Sequence, residues 1–521
     1  MIGSTPTLGT IRRTPTPDSS VEVGQGESGD CRAYWERGAV TTRCPPSSLQ
    51  SESMTEHSAH SARSVHTEQS RVMGLTVKNH WLECPWDYSG GAVFSGSAAA
   101  AASSASSASA ASSKASESFT LYARELVPDG GEDLPALLYL QGGPGSPAPR
   151  PLDSTSGLIG EALKHYRVVL LDQRGTGRSH RIDEGCEPED LSLERLVHLR
   201  QDNIVRDAER LREALGEEQW SLYGQSFGGF CITTYCSLFP ESVRECFLTG
   251  GLPSLDRPID DVYRETYGAI AVRHGHLYER FPWMDQRIRE IGHHLDNSQE
   301  ILPTGERLSS RRFRTIGINL GRGHGLHSLA YLLEDPFRTV RGEKRLTTDV
   351  LTAIGAQVSF AGAPLYAAIH ESIYGGVAVS GEGEQRATRW SAHRIREEIP
   401  GFEENADPRG DDPYYLTGEH IYPWQFKEDP SLHAFAESAE ALAQWQWRSS
   451  PYDTDVLAER APVGAGVVYL DDAFVPFERS RVAASKYRDM RIYVTNALQH
   501  DGIRTDGAEL LRTLREKVNE Y

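Results

Sequence analysis

Cysteine is scarce in this chain. Seven occur in 521 residues, at Cys31, Cys44, Cys84, Cys186, Cys231, Cys236 and Cys246. The number is odd, the residues are scattered, and no C-x-x-C pair occurs. Neither a disulfide framework nor a structural zinc site is expected, and a reducing, cytoplasmic setting is the simplest reading. Basic residues are in deficit, 54 against 73 acidic, for a net charge of −19. Such a surface repels phosphate backbones, which argues against nucleic-acid binding. No apolar run reaches the roughly 18 residues that a spanning helix needs, so no membrane segment is expected. Residues 1–20 contain no apolar stretch of the kind a secretory leader requires. A dinucleotide fingerprint is missing too, because Gly175-x-Gly177 is followed at position 180 by His rather than Gly. His293-His294 and His324-x-x-His327 lack further ligands at useful spacing. No metal and no cofactor are expected.

What the chain does have is Gly224-Gln225-Ser226-Phe227-Gly228, a G-x-S-x-G motif. A short apolar run (Trp220, Leu222, Tyr223) precedes it and a helix-like run, Phe230 to Phe239, follows. A strand that turns sharply at a serine and opens into a helix is the setting of a nucleophile elbow. The turn strains the serine backbone, so the residues two before and two after must be small. Ser226 then sits at a helix N-terminus, where free N–H groups stabilise an anion.

The rest of the chain is organised around that turn. Residues 1–70 are rich in Ser, Thr, Gly and Pro and read as a disordered extension. A first core segment, 71–255, carries an Ala/Ser-rich insert at 89–118 that lacks the bulky residues needed to pack. Leu75-Thr76-Val77 and Trp81-Leu82 predict a strand or hairpin arm, and Phe119–Val127 an edge-type strand. Leu134–Leu140, Tyr166–Leu171, Trp220–Tyr223 and Cys246–Leu248 are short apolar runs of the kind buried in a parallel sheet. Ile204–Leu215 predicts an amphipathic helix stopped by Gly216. From 256 to 459 the strands stop and helical periodicity takes over. In Met284–Leu295, for example, Met284, Ile288, Ile291 and Leu295 recur at helical spacing. The strand–helix pattern returns in 460–521, with strands at Val463–Leu470 and Met490–Thr495 and a terminal helix at Asp506–Glu520. The expected fold class is α/β, an α/β-hydrolase fold with a mostly parallel sheet and a large inserted helical cap.

In that fold a serine nucleophile is followed by an acid and then a histidine. Asp471-Asp472 ends the strand Val463–Leu470, and His500 follows the strand Met490–Thr495. Neighbouring side chains at a strand end point oppositely, so only one aspartate can face His500. Asp472 is preferred, with Asp471 in reserve. The histidine takes the serine proton while the acid fixes its tautomer. The oxyanion needs two N–H donors: one from Phe227, the residue after the nucleophile, and one from Gly143, in the Gly142-Gly143-Pro144-Gly145 loop after an early strand.

Together LLYLQGGPG (137–145), LLDQRGTGRS (170–179), GQSFGG (224–229), YLDDAFVP (469–476) and QHDG (499–502) resemble the proline iminopeptidases, prolyl aminopeptidases of the α/β-hydrolase fold. The resemblance covers 74–521 apart from the insert, and is nearest to the longer members with an extended helical cap. Gln141 stands where shorter members often have His, and the elbow reads G-Q-S-F-G where theirs often reads G-G-S-W-G. The resemblance implies release of N-terminal proline from peptides through an acyl-enzyme. It also implies cap glutamates that hold the cationic imino nitrogen. Glu371, in Ile369–Tyr374, and Glu419, in Thr417–Trp424, are the matching positions. Two other readings share parts of this sequence: a broader aminopeptidase or carboxylesterase, and a hydrolase-like protein that binds without catalysis. Oligomeric state leaves no mark on the sequence.

Overall fold

Strands with no polar alternation must be buried on both faces, and three of them build the middle of the sheet. The computed structural model describes residues 64–89, 118–377 and 386–520. All but the ends of the Ala/Ser-rich insert, and most of the expected N-terminal extension, lie outside the described residues. The strands are β1 (His66–Val72), β2 (Leu75–Pro85), β3 (Ser118–Val127), β4 (Ala136–Leu140), β5 (Arg167–Asp172), β6 (Trp220–Gln225), β7 (Val243–Thr249), β8 (Phe337–Val340), β9 (Glu343–Leu346), β10 (Gly464–Tyr469) and β11 (Met490–Thr495). Nine form one sheet in the order β1-β2-β3-β5-β4-β6-β7-β10-β11. From β5 to β11 every neighbouring pair is parallel; β1, β2 and β3 join antiparallel. Leu138 on β4, Leu222 on β6 and Leu248 on β7 have no exposed surface. Burying each such side chain contributes about 1.5–3 kcal/mol.

Helices cover both faces of the sheet. On one side Phe227–Leu238 runs directly out of β6 and is buried almost all round. On the other, the terminal helix Gly502–Asn519 places Leu510, Leu511 and Leu514 against Ala465 and Val467 of β10. The helix Gln201–Leu215 ends on Gly216, whose left-handed φ of 75° lets its N–H turn back onto the helix.

The cap leaves after β7 and returns at β10, and these two strands are neighbours, with Cys246 opposite Gly464. It is therefore an insertion into one sheet. Its longest helix is Ile259–Arg280, and its own core holds Tyr267, Ile288, Phe313 and Tyr414.

Three expectations are corrected. β1 begins at His66, inside the stretch expected to lie outside the fold. It is exposed at every residue, so its sequence carries no apolar alternation, and backbone pairing to β2 holds it. β3 is an interior strand between β2 and β5, not an edge, because β1 and β2 extend the sheet beyond it. The cap contains a strand pair, β8–β9, turning through Arg341 and Gly342, both at positive φ.

Candidate active site

Ser226 follows β6 with φ 54° and ψ −123°, a conformation that L-residues seldom adopt. Its N–H donates to Thr249 O at 2.9 Å and its carbonyl accepts from Gly229 N at 2.8 Å. The neighbouring glycines have no room for side chains. A Cβ at Gly224 would lie 2.4 Å from the Gly228 carbonyl, one at Gly228 2.0 Å from Leu140 O, and one at Gly229 2.3 Å from Gly251 O. The motif thus follows from close packing of backbone on backbone.

Asp472 lies just past β10. Its Oδ1 accepts the N–H groups of Phe474 (2.8 Å) and Val475 (3.0 Å). Its Oδ2 lies 2.8 Å from His500 Nδ1. A carboxylate cannot donate, so Nδ1 carries the hydrogen and Nε2 is left as a base. Asp472 is 4% exposed and His500 6%. The Phe474 ring stands edge-on to His500, centroids 4.9 Å apart. Burial alone would lower the imidazole pKa; the Asp472 carboxylate, helped by Glu419 and Asp501, outweighs it and leaves His500 raised. Asp471 makes no contact of this kind.

Serine and histidine converge on Gly250-Gly251 at the end of β7. A Cβ at Gly250 would sit 3.1 Å from His500 Nδ1, and one at Gly251 would sit 2.6 Å from Ser226 O. Gln225 Nε2 reaches the His500 carbonyl at 3.5 Å. The loop after β4 arrives from the other side. A Cβ at Gly142 would lie 2.4 Å from Gln225 Oε1 and 3.2 Å from Ser226 Cβ. Gln173 Nε2 donates to Gln141 O at 3.0 Å and steadies that loop. Gly143 has φ 131°, and among the described residues neither its N–H nor that of Phe227 has a hydrogen-bond partner. The Phe227 side chain points into the core, near Phe230.

The two cap glutamates differ. Glu371 is buried, and its oxygens accept the N–H groups of Ser391 (3.1 Å) and Ala392 (2.9 Å). Burial raises its pKa despite those bonds. Glu419 is half-buried. Its Oε1 accepts from the Tyr366 hydroxyl and lies 3.7 Å from His370 Nε2. Burial pushes its pKa up, but His370, His500 and Tyr366 together hold it below the usual carboxylate range. Tyr374 connects the parts: Glu419, Asp472 and Glu371 all add to the effect of burial in raising its pKa. Its ring packs on Phe230 and Tyr263.

Sequence reasoning passed over Tyr366 and His370. The one available signal was their spacing, four residues apart on one helix face, immediately before Glu371. The Asp172–Gly175 turn is occupied with structural bonds. Asp172 accepts the Ala148 and Arg178 N–H groups, and buried Arg174 is held by Asp207.

Among the described residues no helix is long and apolar enough to cross a membrane. Residues 135–329 match the family model of the alpha/beta hydrolase fold. A proline iminopeptidase of Aeromonas sobria is 39% identical over 405 residues, 76% of this chain and 91% of that one. A proline iminopeptidase of Aspergillus aculeatus is 29% identical over 399 residues, 73% of this chain and 84% of that one. The crystal structure of a proline iminopeptidase-related protein from Thermus thermophilus is 16% identical, covers 77% of this chain and 93% of that one, and has a TM-score of 0.31, a likeness too distant to argue from.

Proposed function

This chain belongs to the proline iminopeptidase family of α/β hydrolases, and on that premise we propose that Ser226, His500 and Asp472 release N-terminal proline from peptides. It is a serine hydrolase, a prolyl aminopeptidase working through an acyl-enzyme. Ser226 Oγ attacks the prolyl carbonyl while His500 Nε2 takes its proton. Negative charge gathers on the carbonyl oxygen, where the N–H groups of Gly143 and Phe227 receive it. His500 then protonates the leaving amine, and the shortened peptide departs. Water, activated by the same nitrogen, hydrolyses the prolyl ester.

The observation that carries this reading is the 2.8 Å bond from His500 Nδ1 to Asp472 Oδ2, beside a serine held at φ 54°. An exopeptidase must also recognise the charged end of its substrate. The secondary ammonium of proline has two hydrogens to donate, and Glu419 with Glu371 supplies acceptors for them. Among the described cysteines Cys84, Cys186, Cys231, Cys236 and Cys246 are free thiols, which fits a cytoplasmic enzyme.

Hydrolysis of proline 4-nitroanilide by the purified protein tests the reading. Release of nitroaniline that disappears in Ser226→Ala is the expected result. Hydrolysis of 4-nitrophenyl acetate with no release from the prolyl anilide would overturn it in favour of an esterase.

A further inference from the structure

Beside the loop that carries His500 lies an arginine whose terminal nitrogens bond to no group among the described residues. Arg273 belongs to the cap helix Ile259–Arg280 and is only 7% exposed. Its Nε donates to Leu320 O at 2.8 Å, but its terminal nitrogens have no hydrogen-bond or ion-pair partner among the described residues. Burial draws the guanidinium pKa down, and the opposing pull comes from Asp471, too far away for an ion pair. A guanidinium with unused donors facing a cavity is suited to an anionic ligand.

That guanidinium lines a pocket of about 520 Å³, together with His276, Glu279 and Arg280 of the same helix and Ala497 and Gln499 of the His500 loop. Gln499, 8% exposed, places the pocket directly beside His500. The pocket thus offers a cation at one wall, and Gln499, next to His500, at another. It is also fastened to the catalytic loop on both sides of His500. Gly323 N–H donates to Asp501 at 2.8 Å. Gly321 lies so near the Phe474 ring that a Cβ there would be 2.3 Å away, and Phe474 packs on His500.

We propose that this pocket is a subsite for the leaving peptide, with Arg273 taking its free C-terminal carboxylate. Arg280 and His276 add positive charge at the mouth, and Glu279 repels a carboxylate placed on its own side. The preferred substrates are short proline peptides that end within the pocket. The inference rests on the prolyl aminopeptidase reading.

The experiment measures kcat/KM for a length series from Pro-Gly to Pro-Gly-Gly-Gly-Gly, each as free acid and as C-terminal amide, with proline 4-nitroanilide alongside. One or two lengths should show a free-acid preference of about tenfold, the scale of a charge-assisted hydrogen bond. Arg273→Gln should collapse that acid-to-amide ratio, and Arg273→Lys should restore part of it. Arg280→Gln, at an exposed position, should reduce the ratio less and serves if Arg273→Gln does not fold. An acid-to-amide ratio near one at every length in the unmodified enzyme overturns the subsite while leaving the aminopeptidase reading intact. Failure to cleave the anilide and every peptide overturns both.

Discussion

Tyr366 donates its hydroxyl hydrogen to Glu419 Oε1, the oxygen that His370 Nε2 also approaches to 3.7 Å. The two residues stand four apart where the helix Pro364–Ile369 runs into the turn His370–Tyr374, so they present adjacent side chains to one carboxylate. Burial raises the Glu419 pKa, yet the side chain is held ionised by His370, His500 and Tyr366. An ionised, oriented carboxylate near the nucleophile suits a cationic substrate end.

Tyr366→Phe removes one of those bonds and should raise KM for proline 4-nitroanilide by roughly tenfold, the worth of a hydrogen bond to a charged group. Hydrolysis of 4-nitrophenyl acetate, which has no cation, should change far less. Glu419→Gln should show the same contrast more strongly. Equal losses on anilide and ester would show that the cluster only holds the cap in place.

The pH dependence follows from His500. As a base it must be neutral, and its pKa is raised above the ordinary 6.5: burial lowers it, but Asp472, Glu419 and Asp501 prevail. Activity should therefore fall as pH drops through a value above 6.5. Glu419→Gln removes one of the raising charges and should move that limb to lower pH. Asp472→Asn should move it further and lower kcat by about 10⁴-fold, the loss measured for the same change in a serine protease triad. The sign for stability is the reverse of that for activity. A raised histidine stabilises the fold fully below the unfolded pKa, and the benefit is lost as pH rises through the folded one. Asp472→Asn should thus lower the melting temperature more at pH values below the ordinary histidine pKa than at alkaline pH, where the imidazole is neutral in both states.

The elbow was legible because its glycines are demanded by backbone contacts only a few residues away in sequence, or by β4 directly alongside. The order of Ser226, Asp472 and His500 was legible because each ends or follows a segment whose apolar residues mark it as a strand. β1 was not, since an exposed edge strand leaves no apolar pattern and its pairing with Leu75–Trp81 is a backbone matter. Choosing between Asp471 and Asp472 needed the turn itself, where Asp472 Oδ1 is held by two N–H groups. The partnership of Tyr366 and His370 with Glu419 was invisible because some fifty residues of chain separate them. Arg273 was hidden more thoroughly: only the fold shows that this largely buried arginine has no ion-pair partner among the described residues.

Gly228→Ala should disable the enzyme by geometry alone. The new Cβ would lie 2.0 Å from Leu140 O, and a backbone atom of a central strand cannot step aside. Overpacking of this kind costs about 3 kcal/mol, and here the displacement falls on the Ser226 turn. Whatever protein folds should be labelled by a fluorophosphonate probe far more slowly than the unmodified enzyme. Gly305→Ala is a control for strain without collision, since its φ is 102° but nothing lies within 4 Å. It should lose some stability and keep its labelling rate. Normal labelling of Gly228→Ala would show that the elbow tolerates a shift that the static contacts forbid.

Of the ion pairs that anchor the Asp172–Gly175 turn, Arg174–Asp207 is fully buried, and its removal tests what that anchor is worth. Arg174 and Asp207 have 0% and 1% side-chain exposure and meet at 2.7 Å. The guanidinium also donates to Trp86 O at 2.8 Å and His198 O at 2.9 Å, so it has no route to water. Asp207→Asn keeps the shape and removes the counter-charge, leaving a buried cation unneutralised. The expected loss is about 3–5 kcal/mol, read as a drop in the urea midpoint. Replacing both partners, Arg174→Met with Asp207→Leu, removes the charge as well as its complement. That double variant should be more stable than Asp207→Asn alone, because desolvation of an unpaired guanidinium no longer opposes folding. If the double variant instead loses the sum of the two single losses, the anchor works through the carbonyl bonds of Arg174 and not through its charge.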